Sequence, residues 1–225
     1  MKKITVLLAE DHTIVREGFR RMLELEDDLE VAGEAQDGRQ AVALARKLRP
    51  DVVLMDIAMP LLNGLEATRQ VIKLLPHTRV LMLSAHSDAA YVDQAMMLGA
   101  AGFLLKQTSA DHLATAIRAV QKGNSYFNHS ISKRLPGRKP ESLRRAGQLH
   151  KKGNRLSSRE VEVLQLIAEG KPNKQVASEL GVSFKTVDKH RQHLMAKLNI
   201  HDISGLTRYA ISSGIIESNV QVTIV

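Results

Sequence analysis

The sequence predicts two domains: an α/β domain with a doubly wound, five-stranded parallel sheet, followed by an all-α domain. Five short apolar segments alternate with longer amphipathic stretches over the first 120 residues, and apolar residues recur at helical spacing nearer the end. A length of 225 residues is comfortable for two domains. We place the first domain at residues 1–125, a linker at 126–154, the second domain at 155–217 and a C-terminal tail at 218–225.

The five apolar segments are predicted to form β-strands. Each is nearly continuously apolar, as expected for parallel strands buried on both faces, and the stretches between them are long enough for helical crossovers. The predicted strands are Ile4–Ala9, Glu30–Ala35, Val52–Asp56, Val80–Ser84 and Phe103–Leu105. Ligands of doubly wound sheets bind beyond the carboxyl ends of the strands, so residues at those ends are the candidates for function.

Charge is distributed unevenly along the chain. Residues 1–130 hold 15 Lys and Arg against 16 Asp and Glu, whereas residues 131–225 hold 17 against 8. This asymmetry indicates that the C-terminal part binds a polyanion, and nucleic acid fits better than a membrane because no long basic amphipathic stripe carries Trp or Phe. Because the chain has no cysteine, no apolar run of membrane-spanning length and no signal peptide, we expect a cytoplasmic protein.

A linker is predicted from composition. Residues 133–155 hold nine Lys or Arg, two Pro, three Gly and one acidic residue, with little apolar periodicity. These charges fit a contact with DNA and a solvated tether equally well.

Three helices are predicted after the linker, and the second and third have the spacing of a helix-turn-helix. The first begins with Ser157 or Ser158 as its N-cap. The other two are expected at about Asn173–Leu180 and Phe184–Leu198, with a turn at Gly181–Ser183.

Acidic, hydroxyl and basic side chains end the predicted strands at one edge of the sheet. Glu10 and Asp11 follow the first strand, Asp56 ends the third, Ser84 ends the fourth and Lys106 follows the fifth. Three carboxylates around one point repel each other. A bound Mg²⁺, which prefers oxygen ligands, usually neutralises such a cluster. One carboxylate can then attack a phosphoryl group while Lys106 and the metal neutralise the transferred oxygens. The pattern predicts Mg²⁺-dependent phosphorylation of an aspartate.

The motifs LLAEDH, MDIAMPLLNG, LSAH and GFLLK, over about residues 4–122, resemble the receiver domain of two-component response regulators, which has a flavodoxin-like fold. The resemblance implies that Asp56 is the phosphoacceptor. It also implies that Mg²⁺ is bound by Glu10, Asp11, Asp56 and the backbone carbonyl of Ala58.

Further roles follow from the same resemblance. Ser84 and Lys106 would bind the phosphoryl oxygens, and Phe103 would be the aromatic residue that turns inward on activation. Pro60 and Gly64 would shape the loop after the phosphoacceptor. The sequence departs from many receivers at Gln107, where proline is common.

Other readings exist for these residues. Asp11 fits a helix cap, Ser84 a strand end and Phe103 a core position. Mg²⁺-dependent phosphatases also form aspartyl phosphates, but they usually carry an acid/base Asp two residues after the nucleophile, where this chain has Ala58. Without that group we expect a switch whose only chemistry is phosphotransfer to Asp56 and hydrolysis there, rather than an enzyme.

Residues 156 to about 213 resemble the LuxR/FixJ/NarL-type helix-turn-helix. The resemblance implies a transcription factor that binds double-stranded DNA as a dimer and receives its phosphoryl group from a sensor histidine kinase. The apolar positions of this pattern, expected in the core, are Leu164, Ala177, Leu180, Val182, Val187 and Leu198. The last helical pattern, Ile203–Ile211, resembles the dimerising helix of the family and fits a cover over the core equally well.

The polar residues on and near the predicted recognition helix fall into two groups, expected base readers and expected phosphate contacts. The expected base readers, which share one face of the helix, are Lys185, Asp188, Lys189 and Gln192. Asp188 fits equally well as an N-terminal charge favoured by the helix dipole. The expected phosphate contacts are Lys174, Ser183, Thr186 and Lys197.

Together these patterns predict a population shift. Phosphorylation of Asp56 would expose a self-complementary surface or free the helix-turn-helix, so that two copies bind adjacent half-sites. The alternative is a constitutive DNA-binding protein whose receiver-like domain serves only for dimerisation.

Overall fold

The structure, a computed structural model, describes residues 3–85, 89–127 and 156–216. The chain divides into two compact units, Met1–Lys152 and Gly153–Val225, and each is described by itself. The C-terminal tail and all but the first two residues of the predicted linker lie outside the described residues. No described helix is long and apolar enough to span a membrane.

Strands and helices alternate through the first unit, and the strands form one parallel sheet in the order β2-β1-β3-β4-β5-β6. The strands are β1 (Ile4–Ala9), β2 (Leu29–Ala35), β3 (Val52–Asp56), β4 (Arg79–Ser84), β5 (Gly102–Leu105) and β6 (Tyr126–Phe127). The helices are α1 (Thr13–Glu24), α2 (Gly38–Leu48), α3 (Gly64–Leu74), α4 (Ala89–Leu98) and α5 (Ala110–Gln121). The parallel α/β prediction is confirmed, and the first five strands lie within one residue of their predicted bounds.

The sheet has six strands rather than the predicted five. β6 pairs beside β5 at the sheet edge, within the segment assigned from sequence to the linker. A Cβ atom on Gly102 would lie 2.3 Å from the carbonyl oxygen of Tyr126, so this pairing depends on glycine. A strand of two residues is too short to show a recognisable apolar alternation, which is why the sequence did not indicate it.

Apolar side chains on both faces of the sheet form two core layers. Leu7, Val53 and Met55 point into one layer, which includes residues of α2, α3 and α4. Leu8 and Leu54, their neighbours in the strands, point into the other layer, with residues of α1 and α5. Neighbouring residues of a strand face opposite sides, so the continuously apolar strands are buried on both faces.

The second unit contains helices and no strand among its described residues. Its helices are α6 (Ser158–Ala168), α7 (Asn173–Leu180), α8 (Phe184–Leu198) and α9 (Ile203–Ser212). Ser157 caps α6 in a capping box with Glu160, which decides between the two predicted caps. Gly181 adopts a left-handed conformation, φ 61°, where α7 turns into α8. The helix-turn-helix prediction is therefore confirmed.

The core of this unit differs in part from the expected one. Leu164 and Val187 are fully buried, and Ala177 and Leu180 nearly so. Val182 and Leu198 are only partly buried, which corrects their assignment to the core. α9 buries Gly205, Leu206 and Ala210 and contacts α6, so it does cover the core.

Candidate functional site

The strand order places two of the predicted acidic residues side by side. β1 and β3 are neighbours, Glu10 follows β1, and Asp56 is the last residue of β3. Their side chains are each only 2% exposed. The chain passes from β1 to β2 on one side of β1 and then from β2 to β3 on the other side, so the ends of β1 and β3 form the topological switch point where ligands of such sheets bind.

Lys106 joins the two carboxylates. Its Nζ lies 2.8 Å from Glu10 Oε2 and 2.9 Å from Asp56 Oδ1, and its backbone N–H donates to the carbonyl oxygen of Ser84 at 2.8 Å. Burial alone would lower the pKa of the Lys106 ammonium, but the charge of Asp56 and the hydrogen bond to Glu10 raise it. Lys106 therefore stays charged beside Asp56.

Asp56 carries the most perturbed carboxyl group of the site. Burial, with the nearby Glu10 carboxylate as the second cause, raises the pKa of Asp56 to about 7, although Lys106 acts in the opposite direction. Asp56 Oδ1 contacts Lys106, whereas Oδ2 is buried without a hydrogen-bond partner among the described residues. A buried carboxylate oxygen in this state is ready to accept a cation or an electrophile.

Glu10, Asp11 and His12 form an acidic turn between β1 and α1. Their ligand atoms lie within 4.8 Å of one another, and His12 Nδ1 lies 3.0 Å from Glu10 Oε1 and 2.9 Å from Asp11 Oδ1. The hydrogen bond to Glu10 raises the pKa of His12 against the effect of its burial. His12 was not predicted, since a histidine beside two acids has no distinctive spacing. The carboxylate oxygens here, with Asp56 Oδ2, are the donors that suit Mg²⁺.

The remaining predicted residues of the first unit lie in β4, in β5 and in the loop after β3. Ser84 ends β4 and is 2% exposed, Phe103 of β5 is fully buried in the core, and Ala58 is partly buried in the β3–α3 loop. A Cβ atom on Gly64 would lie 1.8 Å from the backbone oxygen of Asp56, so only glycine allows α3 to begin this close to the site. Asp11 does not cap α1, because His12 occupies the N-cap position without a side-chain hydrogen bond.

The loop after Lys106 forms without a proline. Gln107 is exposed, all described peptide bonds are trans, and the N–H of Thr108 donates to the carbonyl oxygen of Leu105 at 3.0 Å. The departure at Gln107 is therefore accommodated by an ordinary turn.

The second unit presents the predicted base readers on one side of α8. Lys185, Lys189 and Gln192 are exposed and Asp188 is partly buried, on the side opposite the buried Val187. Gln192 Nε2 donates to Asp188 Oδ2 at 2.9 Å. Asp188 lies beyond the first turn of α8, which contains no acidic residue, so the helix-dipole reading loses support.

The predicted phosphate contacts fall into two groups. Lys174 is exposed on α7, and the exposed Ser183 caps α8 by accepting from the N–H of Thr186 at 3.1 Å. Lys197 instead donates to Glu160 Oε2 at 2.7 Å, a contact inside the unit that the sequence did not indicate.

Phe184 is a surface feature that the sequence reasoning missed. It is the first residue of α8 and is 58% exposed. The sequence signal that could have identified it is an aromatic residue directly after the predicted turn Gly181–Ser183 and outside the apolar stripe of the helix.

Comparison with known proteins assigns each of the two units to a known domain family. Residues 6–118 match the response regulator receiver domain, and residues 154–210 match the bacterial regulatory proteins of the luxR family. The transcriptional regulatory protein DegU of Brevibacillus brevis is 36% identical over 223 residues, covering 94% of each chain. LiaR of Bacillus subtilis is 39% identical over 207 residues, covering 92% of this chain and 96% of its own. The response regulator RcsB in complex with DNA has 28% identity and a TM-score of 0.56, covering 94% of this chain and 99% of its own.

Proposed function

The chain belongs to the two-component response regulators that join a receiver domain to a LuxR-type DNA-binding domain, and we propose that phosphorylation of Asp56 controls its binding to DNA. The family consists of transcriptional regulators rather than enzymes in the usual sense. A sensor histidine kinase and promoter DNA would be its partners, and both would place it in the cytoplasm.

One observation carries the proposal: Lys106 Nζ lies 2.9 Å from Asp56 Oδ1 at the switch point of the sheet. A buried carboxylate beside a buried ammonium is arranged to receive a phosphoryl group, because the ammonium can follow the negative charge from the carboxylate to the transferred oxygens. Ser84, at the end of the neighbouring strand, supplies a hydroxyl at the same edge of the sheet.

The proposed chemical step is a transfer between two side chains. A carboxylate oxygen of Asp56 attacks the phosphorus of a phosphohistidine on the kinase, the new P–O bond forms as the P–N bond breaks, and the leaving imidazole takes up a proton. Ala58, two residues further on, has no acid/base group, so the product lasts long enough to serve as a signal.

The acidic turn fits the Mg²⁺ that receivers generally bind. Glu10, Asp11, Asp56 and the carbonyl oxygen of Ala58 would hold the ion, and the buried, unpartnered Asp56 Oδ2 supports this assignment. When bound, Mg²⁺ would neutralise the clustered carboxylates and keep the nucleophile ionised.

For the DNA-binding unit we propose that α8 enters the major groove. Its outer face would read bases through Lys185, Asp188, Lys189 and Gln192, as in other helix-turn-helix proteins. The expected phosphate contacts are Lys174, Ser183, Thr186 and Lys197. The positive charge of the C-terminal half and the similarity to RcsB, whose complex with DNA is known, support this placement.

Dimerisation on DNA is proposed through α9. Ile203 and Ile211 of this helix are 51% and 38% exposed, although its other side packs onto α6. An apolar side chain on each end of the outward surface leaves area for a second copy.

The constitutive alternative receives less support. A receiver-like module that serves only for dimerisation would have no need of the buried Glu10–Lys106–Asp56 cluster, because charges are costly to bury even when they are paired. DegU and LiaR, to which the chain is similar over more than nine-tenths of its length, are moreover transcriptional regulatory proteins.

The test is phosphoprotein mass spectrometry after incubation with acetyl phosphate and Mg²⁺, followed by DNA-binding measurements on the same samples. We expect one base-labile phosphoryl group on the wild type, none on Asp56→Asn, and tighter DNA binding after phosphorylation. Asp111→Asn, which changes an exposed carboxylate on α5, is the control and should behave as the wild type. An unmodified wild type, or DNA affinity that ignores the modification, would support the constitutive alternative.

A further inference from the structure

We infer that Arg16 is a positioning residue, which fixes the turn carrying Glu10 and Asp11 and thereby sets the affinity of the site for Mg²⁺. This inference rests on the proposed function only in that Glu10 and Asp11 are taken as metal ligands. Arg16 itself touches neither the metal-binding oxygens of these side chains nor Asp56 in the structure.

Arg16 is a charged residue on the buried side of a helix. The buried residues of α1 are Arg16, Phe19 and Leu23, at spacings of three and four, and the Arg16 side chain is only 6% exposed. A guanidinium in such a position is costly unless its N–H groups have partners. The contacts it makes therefore account for its presence.

The partners of Arg16 are the backbone of the acidic turn and a carboxylate of the neighbouring strand. Nη1 donates to the carbonyl oxygen of Glu10 at 2.7 Å and lies 3.4 Å from that of Asp11. Nε donates to Glu34 Oε2 on β2 at 3.2 Å. The planar guanidinium thus ties two consecutive carbonyl groups of the turn to the sheet.

The acidic turn has one internal backbone contact, from the N–H of His12 to Glu10 Oε1 at 3.2 Å, but no side-chain cap at the start of α1. His12, the N-cap of α1, makes no side-chain hydrogen bond to the helix, so the first turn of α1 is not held by its cap. Arg16, four residues after the N-cap His12, extends back towards the acidic turn and contacts its backbone. Because the carboxylates of Glu10 and Asp11 project from the backbone that Arg16 holds, their separation depends on this contact.

Loss of a group that orients metal ligands typically costs 10- to 100-fold in metal affinity. Arg20 offers a matched control, since its Nη1 also donates to Glu34, to Oε1 at 2.9 Å, while its side chain is half exposed and does not contact the turn. Arg16→Met and Arg20→Met therefore both remove a bond to Glu34. Arg16→Met also removes the bonds to the turn, whereas Arg20→Met also removes an exposed ion pair with Glu24.

The experiment is a titration of the ¹⁵N-labelled full chain with MgCl₂ alone, followed through the amide shifts of Glu10 to His12 and of Asp56. We expect Arg16→Met to raise the dissociation constant for Mg²⁺ about 10-fold and Arg20→Met to change it less than about twofold. Phosphorylation of Arg16→Met by acetyl phosphate should approach the wild-type extent once Mg²⁺ is saturating. Recovery of phosphorylation at saturating Mg²⁺ would show that the variant has lost affinity for the metal and has kept a reactive Asp56.

An Arg16→Met chain that binds Mg²⁺ as the wild type does would overturn the inference, as would an equal loss in Arg20→Met. If Arg16→Met does not fold, Arg16→Lys decides, because it keeps the charge and loses the planar group that spans both partners. An unchanged affinity in Arg16→Lys then contradicts the inference, and a severalfold loss supports it. A wild type without Mg²⁺-dependent shifts would contradict the proposed metal site as well, whereas an unaffected Arg16 variant contradicts this inference alone.

Discussion

Lys197 Nζ donates to Glu160 Oε2 at 2.7 Å, and this contact ties the last turn of α8 to the first turn of α6. The same oxygen accepts from the backbone N–H of Ser157 at 2.7 Å and from its hydroxyl at 2.9 Å. The Glu160 side chain is buried. Its carboxylate takes part in the cap of α6 and also binds the last turn of α8.

The first prediction concerns the stability of the DNA-binding unit. Burial alone would raise the pKa of Glu160, but the hydrogen bonds from Lys197 and Ser157 lower it below its ordinary 4.5. The ionised carboxylate therefore stabilises the fold above pH 4.5, and this contribution is lost as the pH falls through the lower pKa of the folded state. Glu160→Gln should lower the free energy of unfolding by about 1–2 kcal/mol at pH 7.

Urea unfolding, followed through the NMR signals of α6 to α9, measures this difference at pH 7 and again in acid. The difference in unfolding free energy between wild type and Glu160→Gln should become smaller in acid, where the wild-type carboxylate is protonated. Glu179→Gln, at an exposed position of α7, is the control. A gap that does not depend on pH would contradict the role assigned to the charge.

A second prediction separates the lysines of the DNA-binding unit by the salt dependence of DNA binding. Substituting a lysine that touches a phosphate should flatten the slope of log K against log salt concentration by about 0.9. We expect this change for Lys174→Gln, whose side chain is exposed. Lys197→Gln should flatten the slope less, because its ammonium is engaged by Glu160. Equal slopes for Lys174→Gln and Lys197→Gln would contradict the distinction.

A third prediction concerns base preference. Asp188 accepts from Gln192, so the pair offers mainly hydrogen-bond acceptors, which suit the amino groups of cytosine and adenine. Asp188→Ala should weaken discrimination at one base pair by about 1–3 kcal/mol. Binding to random DNA should be unchanged or tighter, since a negative charge is removed. Competition between operator variants measures both, and undiminished discrimination would remove Asp188 from the base readers.

The parts of the fold that could be predicted are those with a local pattern. Five strands show as continuous apolar runs and the helices of the helix-turn-helix as apolar periodicity. The parallel topology then brings Glu10, Asp56 and Lys106 to one edge of the sheet. Their proximity follows from strand ends alone, without knowledge of any individual contact.

The parts that escaped prediction depend on contacts between residues far apart in sequence. Lys197 pairs with Glu160 across 37 positions, and Arg16 with Glu34 across 18. An exposed lysine and a lysine bound to a buried carboxylate look the same in a sequence. Arg16 did leave a trace, since it is an arginine on the apolar side of an amphipathic helix, where a charge needs a specific partner.

The last prediction uses the raised pKa of Asp56. Because that pKa is about 7 instead of 3.8, the ionised form is disfavoured in the folded state, and stability is lost as the pH rises from about 3.8 to about 7. In Mg²⁺-free solution Asp56→Asn should therefore exceed the wild type in free energy of unfolding by up to about 4 kcal/mol at pH 8, with little difference near pH 4. Added Mg²⁺ should stabilise the wild type more than Asp56→Asn, because the ion favours the ionised carboxylate.

Urea unfolding of the receiver domain at both pH values measures these differences in free energy of unfolding, with Asp111→Asn as the control. An Asp56→Asn variant no more stable than the wild type at pH 8 would mean that Lys106 already compensates the buried charge in full.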